Sequence, residues 1–137
     1  AIARYGLPVV TMNIDSLHIR AGSRDVCEIH GNLRDIYCSR CAAKYDYGVL
    51  EQGVRCPACK GRLNPDIVLY GDMIPRLEEA FAMVRGVERL LVVGTSFYTS
   101  TASYVCDAAR AAGAQIDIIN EDAQNEVPKA LQRIFKH

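Results

Sequence analysis

No apolar run in this chain is long enough to cross a bilayer. Purely apolar stretches such as Ala80–Val84 and Leu90–Val93 fall far short of the roughly 20 residues a spanning helix needs, so the sequence predicts a soluble chain with no membrane partner. It has no excess of charge either: 16 basic and 16 acidic side chains cancel, which argues against a nucleic-acid footprint and against an acidic disordered tail. There is no internal repeat and no low-complexity segment. No basic-then-apolar leader is visible, so nothing marks the chain for secretion. No Gly-x-Gly-x-x-Gly occurs, and a dinucleotide bound here would take its pyrophosphate loop from elsewhere.

What is present suits one globular domain: 137 residues, 50% apolar and 23% charged, enough to bury a real core. Six cysteines need an explanation. Four form the pairs Cys38/Cys41 and Cys56/Cys59, while Cys27 and Cys106 stand alone. Without a leader, a disulfide framework is the weaker reading and metal binding in a reducing compartment the stronger. Cytoplasm is the default address, with a nuclear or organellar one also open.

Ala1–Gly6 reads as the last turn of a helix closed by Gly6, so the sequence is expected to start inside an element and to be a fragment. Pro8–Met12 reads as a short buried strand of a parallel sheet, with Asn13–His18 leaving its C-terminal end, the edge where open α/β sheets bind ligands. Residues 19–35 read as a connection through a short helix or turn, with Val26, Ile29 and Leu33 inward. Residues 36–66 lose apolar content and gain Gly48, Gly53, Gly61, Pro57 and Pro65, the mark of an inserted module of small strands or turns. Ile67–Tyr70 returns to strand character and ends at Gly71. Beyond it, a helix opened by Pro75 (Leu77, Ala80, Phe81 and Val84 on one face), a strand Arg89–Val93, a helix Thr101–Ala112, a strand Gln115–Ile119 and a helix following Pro128 alternate. Such alternation indicates βαβ units. The fold class is therefore α/β: a partial Rossmann-like parallel sheet over 1–35 and 67–137, carrying an inserted module over 36–66.

The cysteine pairs are the most specific signal. Each Cys-x-x-Cys can present two thiolates to one tetrahedral ion, and Cys38, Cys41, Cys56 and Cys59 complete a closed, structural zinc site with no position left for water. Redox dithiols or two disulfides compete, but redox Cys-x-x-Cys motifs open helices at strand ends, whereas these lie among glycines and prolines. A second signal is Asn13, Asp15, His18 and His30 on neighbouring connections. Asn and Asp after a strand also serve as turn formers, and His18 also reads as a packed core residue. His30 precedes Gly31, where backbone can approach a ligand closely, and an imidazole can act as a base near neutral pH. A third is Gly94-Thr95-Ser96 at one strand end and Asn120-Glu121 at the next, suited to a phosphate and to ribose hydroxyls, or to ordinary turn and capping chemistry.

In order, Thr-x-Asn-Ile-Asp-x-Leu-His, His-Gly, two Cys-x-x-Cys pairs, Pro-Asp-Ile-Val-x-Tyr-Gly-Asp, Gly-Thr-Ser and Ile-Asn-Glu resemble the sirtuins, the NAD-dependent protein deacylases. The resemblance covers residues 8 to about 122 and the later part of a sirtuin catalytic core. It implies an enzyme that releases nicotinamide from NAD and transfers the acyl group of an acyl-lysine peptide to ADP-ribose. His30 then resembles the base that helps deprotonate a ribose hydroxyl. Asn13 is similar to the residue positioning the ribose and a water, and Ile14 and Asp15 to those holding the nicotinamide carboxamide. Gly94, Thr95, Ser96, Asn120 and Glu121 match the adenosine-side contacts. Val68, Tyr70 and Gly71 resemble the edge strand on which the peptide lies by β-augmentation. The four cysteines match the zinc ligands.

Departures accompany the resemblance. Met12 stands where the family usually has glutamine, Ser16 where it has glycine, and Asp72 where it has glutamate. Phe97-Tyr98-Thr99-Ser100-Thr101-Ala102 lacks the usual valine and proline. The glycine-rich cofactor loop and the first, central strand of the nucleotide fold are missing, which predicts an unpaired buried sheet edge. Alternatives to deacylation are mono-ADP-ribosyl transfer, a non-catalytic binding module, and a zinc-stabilised structural domain. The oligomeric state is not legible.

Overall fold

In a computed structural model, which describes residues 1–97 and 100–136, the chain opens with a 3-10 turn, Ile2–Tyr5, ended by Gly6 at φ 63°. That is the left-handed conformation a glycine adopts without strain. Strand β1, Val9–Thr11, pairs in parallel with β2, Val26–Glu28, across a crossover holding the one-turn helix α1, Leu17–Arg20. Strand β2 lies inside the stretch expected to be a connection. Three residues, Val-Cys-Glu, are too short for their periodicity to show, and only the partner strand completes them.

A three-stranded antiparallel sheet follows, in the order β4-β3-β5: β3 is Gly31–Cys38, β4 Lys44–Asp46 and β5 Leu63–Ile67. Pro65 is tolerated because β5 is an edge strand, where a missing N–H removes no ladder bond. Between Asn32 and Ile36 the ladder of β3 with β5 slips by a bulge. Asn32, fully buried, holds it: its Oδ1 accepts from the Arg34 and Asp35 amides at 3.0 and 2.8 Å. Leu33, expected inward, is consequently turned out and is 45% exposed.

The expected strand Ile67–Tyr70 stops at Ile67. The Val68 amide makes one more bond, to the His30 carbonyl at 2.9 Å. Then Leu69 N–H donates to Asp72 Oδ2 at 3.0 Å, Asp72 N–H returns to the Leu69 carbonyl at 3.1 Å, and Gly71 takes φ 88°. An Asx-type turn of this kind competes directly with strand pairing. Val68, Tyr70 and Gly71 thus form a turn and its approach rather than an edge strand.

The rest is a second parallel unit. Helix α2, Leu77–Val84, precedes β6, Arg89–Val93, which pairs in parallel with β7, Gln115–Ile119, through helix α3, Ser100–Ala111. Helix α4 spans Ala123–Ile134 and begins five residues before the proline expected to open it. Pro128 forfeits the bond to the Gln124 carbonyl, a loss of about 3 kcal/mol in a helix interior. Burial of Val127, Ala130 and Leu131 at roughly 25 cal/mol per Å² of apolar surface offsets it.

The core lies where α2 and α3 pack: Ala80, Val84, Val105 and Ala109 meet Cys27 and Ile29, all buried. Alanines on both helices let them approach closely. A second, smaller core of Ile36, Val49 and Leu63 surrounds Cys38 and Cys56. Among the described residues the two parallel pairs, β1–β2 and β6–β7, are separate sheets. A cavity of 690 Å³ lies between them, walled by Val10 and Met12 on one side and Leu91 and Val92 on the other. The expected unpaired edge is therefore two facing edges.

Candidate functional site

The ends of β1 and β6 open onto that cavity. Asn13, two residues past the end of β1, lies at its rim with His18, and Gly94, Thr95 and Ser96 border it from β6. Local chemistry dictates the turn after β1. The Asn13 amide donates to Thr11 Oγ1 at 3.1 Å, and Asp15 Oδ1 accepts from the Leu17 amide at 3.0 Å. The Leu33 amide donates to the Ile14 carbonyl at 3.0 Å, which ties this turn to β3. Asp15 therefore does act as a turn former, with one oxygen on the backbone. Ser16 sits at φ 55° with its Oγ buried and unpartnered. The glycine usual there in the resembling family would be at ease in that conformation.

His30 occupies the turn from β2 to β3, half-buried, with Nε2 3.3 Å from Thr101 Oγ1. Gly31 behind it, at φ 77°, is required for a reason other than ligand access. A Cβ there would overlap the Asp66 carbonyl oxygen of β5. The glycine lets β5 lie against the His30 turn.

The third cluster is drawn together by one hydrogen bond. The Thr95 amide donates to Asn120 Oδ1 at 3.1 Å, while the Gly94 amide donates to the Ile119 carbonyl at 2.9 Å. Gly94 takes φ 66°. The ends of β6 and β7 thereby form one polar rim, with Glu121 exposed beside it. Val68–Gly71 stand apart on the other side of His30, Tyr70 wholly solvent-exposed and Leu69 and Met73 mostly so. Tyr98 and Thr99, within the departing stretch after Ser96, lie outside the described residues.

The cysteines form a site of their own. The Sγ atoms of Cys38, Cys41, Cys56 and Cys59 all lie within 4.8 Å of one another, with Cys38–Cys59 at 3.5 Å and Cys41–Cys56 at 3.7 Å. Four sulfurs at about 2.3 Å from one zinc ion sit just under 4 Å apart, so this donor set fits that metal. Each pair closes a knuckle of the same shape: Ala42 N–H to the Cys38 carbonyl and Lys60 N–H to the Cys56 carbonyl, both 2.9 Å. Amides of Arg40 and Gly61 point at Cys38 and Cys59 Sγ, each at 3.4 Å. A Cβ on Gly61 would stand 2.8 Å from Cys38 Sγ and 2.6 Å from Arg40 Cβ, so only glycine fits.

Tyr45 was not visible as a site residue in the sequence. Its hydroxyl, 3.2 Å from Cys56 Sγ, pulls that thiol down to about 6, and the Cys41 amide lowers Cys38. Both shifts favour the thiolate, the form that binds metal, while the neighbouring thiols of Cys59, Cys38 and Cys56 push Cys41 the other way, up to about 12. Burial pushes Cys27 up to about 11 and raises Cys106 as well, leaving both as protonated core residues.

A family model described as "Sir2 family" matches residues 3–100 of the chain. The chain belongs to the Sir2 family. An NAD-dependent protein deacetylase of Bacillus cereus is 38% identical over 119 residues, covering 85% of this chain and 49% of its own length. An NAD-dependent protein deacylase of Aeropyrum pernix is 37% identical over 118 residues, covering 83% and 48%. The chain thus spans about half the length of the curated relatives it matches. Among solved structures, a Sir2 in complex with an inhibitor, 2'-O-acetyl-ADP-ribose and a deacetylated p53 peptide superposes with a TM-score of 0.81 at 26% identity, over 96% of this chain and 67% of that one. A Sir2 bound to a propionylated peptide gives 0.83 at 26% identity, over 96% and 66%. This sirtuin chain therefore shares their mixed α/β architecture and has a four-cysteine cluster arranged to hold zinc.

Proposed function

We propose that this chain is the base-bearing and adenosine-binding part of an NAD-dependent protein lysine deacylase, acting with a segment corresponding to the portion of its relatives that it does not span. The observation that carries the proposal is the convergence of Asn13, Gly94, Thr95 and Ser96 on one cavity whose wall includes Thr101, the hydroxyl partner of His30. NAD, when bound, supplies a ribose whose bond to nicotinamide is broken as the acyl oxygen attacks. The chain's own residues do the rest. The imidazole of His30 takes a proton from a ribose hydroxyl, as a positioned general base. Asn13 and Asp15 orient the nicotinamide end, and the β6–β7 rim of Gly94, Thr95, Ser96, Asn120 and Glu121 holds the adenosine end. Acyl-lysine peptide lies beside the exposed turn of Val68, Tyr70 and Gly71. The zinc knuckles hold β3, and with it the His30 turn, in place. Cytoplasm is the proposed location.

The test is nicotinamide release from NAD with an acetyl-lysine peptide. Zinc-loaded chain is combined with the portion of the Bacillus cereus relative that it does not span, beside a His30→Ala control. Release that the control loses by about two to four orders of magnitude, the usual worth of a general base, supports the reading. Equal formation of acyl-ADP-ribose by both would remove His30 from the role. Identifying the product as acyl-ADP-ribose or as ADP-ribosylated protein separates deacylation from ADP-ribosyl transfer.

A further inference from the structure

The hydroxyl beside His30 comes from a place the sequence did not single out as functional. Thr101 lies in the stretch where this chain leaves the family pattern, in the first turn of α3, 71 residues beyond His30. It is 4% exposed, and it forms part of the cavity wall together with Asn13, Thr95 and Ser96. Its Oγ1 stands 3.3 Å from His30 Nε2. A buried hydroxyl needs a partner, since leaving one unsatisfied costs about 1–3 kcal/mol. The same bond acts on the histidine. In a neutral imidazole one nitrogen carries the proton and the other accepts, and a fixed neighbour decides which. A threonine hydroxyl that donates to Nε2 keeps that nitrogen unprotonated and places the proton on Nδ1.

We propose that Thr101 is a positioning residue for His30: its hydroxyl donates to Nε2, fixing the ring's rotation and keeping Nε2 the unprotonated nitrogen at the cavity wall, and the hydroxyl rotates off that lone pair when a ribose hydroxyl delivers its proton there. The assignment of His30 as the base rests on the function proposed above, whereas the contact and its effect on the ring do not. Proximity makes this worthwhile, because a base helps only when its accepting atom is within hydrogen-bond reach of the proton it takes.

The test reads the ring directly in the zinc-loaded chain. Nitrogen NMR of the imidazoles is recorded at a pH where the rings are neutral, and the His30 signals, among three histidines, are identified by their loss in His30→Gln. In the parent the proton is expected on Nδ1, with the two ring nitrogens widely separated in shift. Thr101→Val, nearly the same shape without the hydroxyl, is expected to collapse that separation as the proton redistributes to Nε2. Thr101→Ser is expected to restore it. A parent ring protonated on Nε2, or an unchanged pattern in folded Thr101→Val, overturns the proposal. If the valine variant does not fold, Thr101→Ala is read by the same criterion. Absence of nicotinamide release from the reconstituted enzyme would sink the deacylase reading alone and leave this contact standing. Activity with undiminished turnover in Thr101→Val, despite a changed ring, would overturn the role in positioning the base.

Discussion

Ser16 shows how one departure from the family pattern is felt. Its backbone is left-handed at φ 55° and its hydroxyl is buried without a partner, each a cost that glycine avoids. Against this, glycine loosens the unfolded chain by up to about 1 kcal/mol. Ser16→Gly is expected to stabilise the protein by about 1 kcal/mol net, seen as a raised denaturation midpoint, and a lowered midpoint would contradict the strain argument. Asp35 provides a pH test. The Asn32 amide, 3.0 Å away, and then Arg34 hold its carboxyl below the usual carboxylate range. A depressed native value means stability present at neutral pH and lost as the pH falls through that range. Asp35 is nearly half exposed, so screening limits the effect to under about 1 kcal/mol. Parent and Asp35→Asn should therefore differ in denaturant midpoint at pH 7 and converge in acid. A constant difference would show that the carboxylate charge is not the cause.

Among the elements, the three-stranded sheet depends most on something outside its own packing. Its core is a few side chains around Cys38 and Cys56, too little to fold so small a unit without a staple. Metal affinity supplies that folding free energy. Removing zinc with a chelator is expected to unfold β3 to β5 while α2, α3 and α4 retain their circular dichroism. Unchanged melting of the whole chain after verified metal loss would refute this. The boundary of the element also moved. The sheet begins at Gly31 and ends at Ile67, because Gly31-Asn32, which lie in the stretch that reads as a connection, start its longest strand. Gly31 and Asn32 pair with Ile67 and Asp66, far along the chain, and no local pattern reports such a partner.

At the level of the molecule, the two parallel pairs face one another across 690 Å³ of largely apolar space. Open strand edges next to exposed apolar surface invite association. Combining the chain with the unspanned portion of its Bacillus cereus relative should lower binding of an apolar dye, raise the melting temperature and permit nicotinamide release together. Dye binding unchanged by a partner that does restore activity would show that this cavity is not where the portion docks.

The composition, the βαβ alternation and the cysteine spacing were enough to establish an α/β chain with a four-sulfur cluster, because helix period, strand run and knuckle spacing are local. Asn13 and the Gly94-Thr95-Ser96 rim could be placed near strand ends for the same reason, whereas β2, the strand that leads to His30, could not. What depended on contacts between distant residues was not. Tyr45 on Cys56, the backbone of β5 against Gly31, Asn32 in its bulge and Thr101 against His30 belong to that second group. So does the turn at Val68–Gly71, where an aspartate three residues along outcompeted the ladder. Only the tertiary structure decides which hydroxyl meets which ring, since hydrogen bonding falls off within a fraction of an ångström and sequence separation carries no such distance.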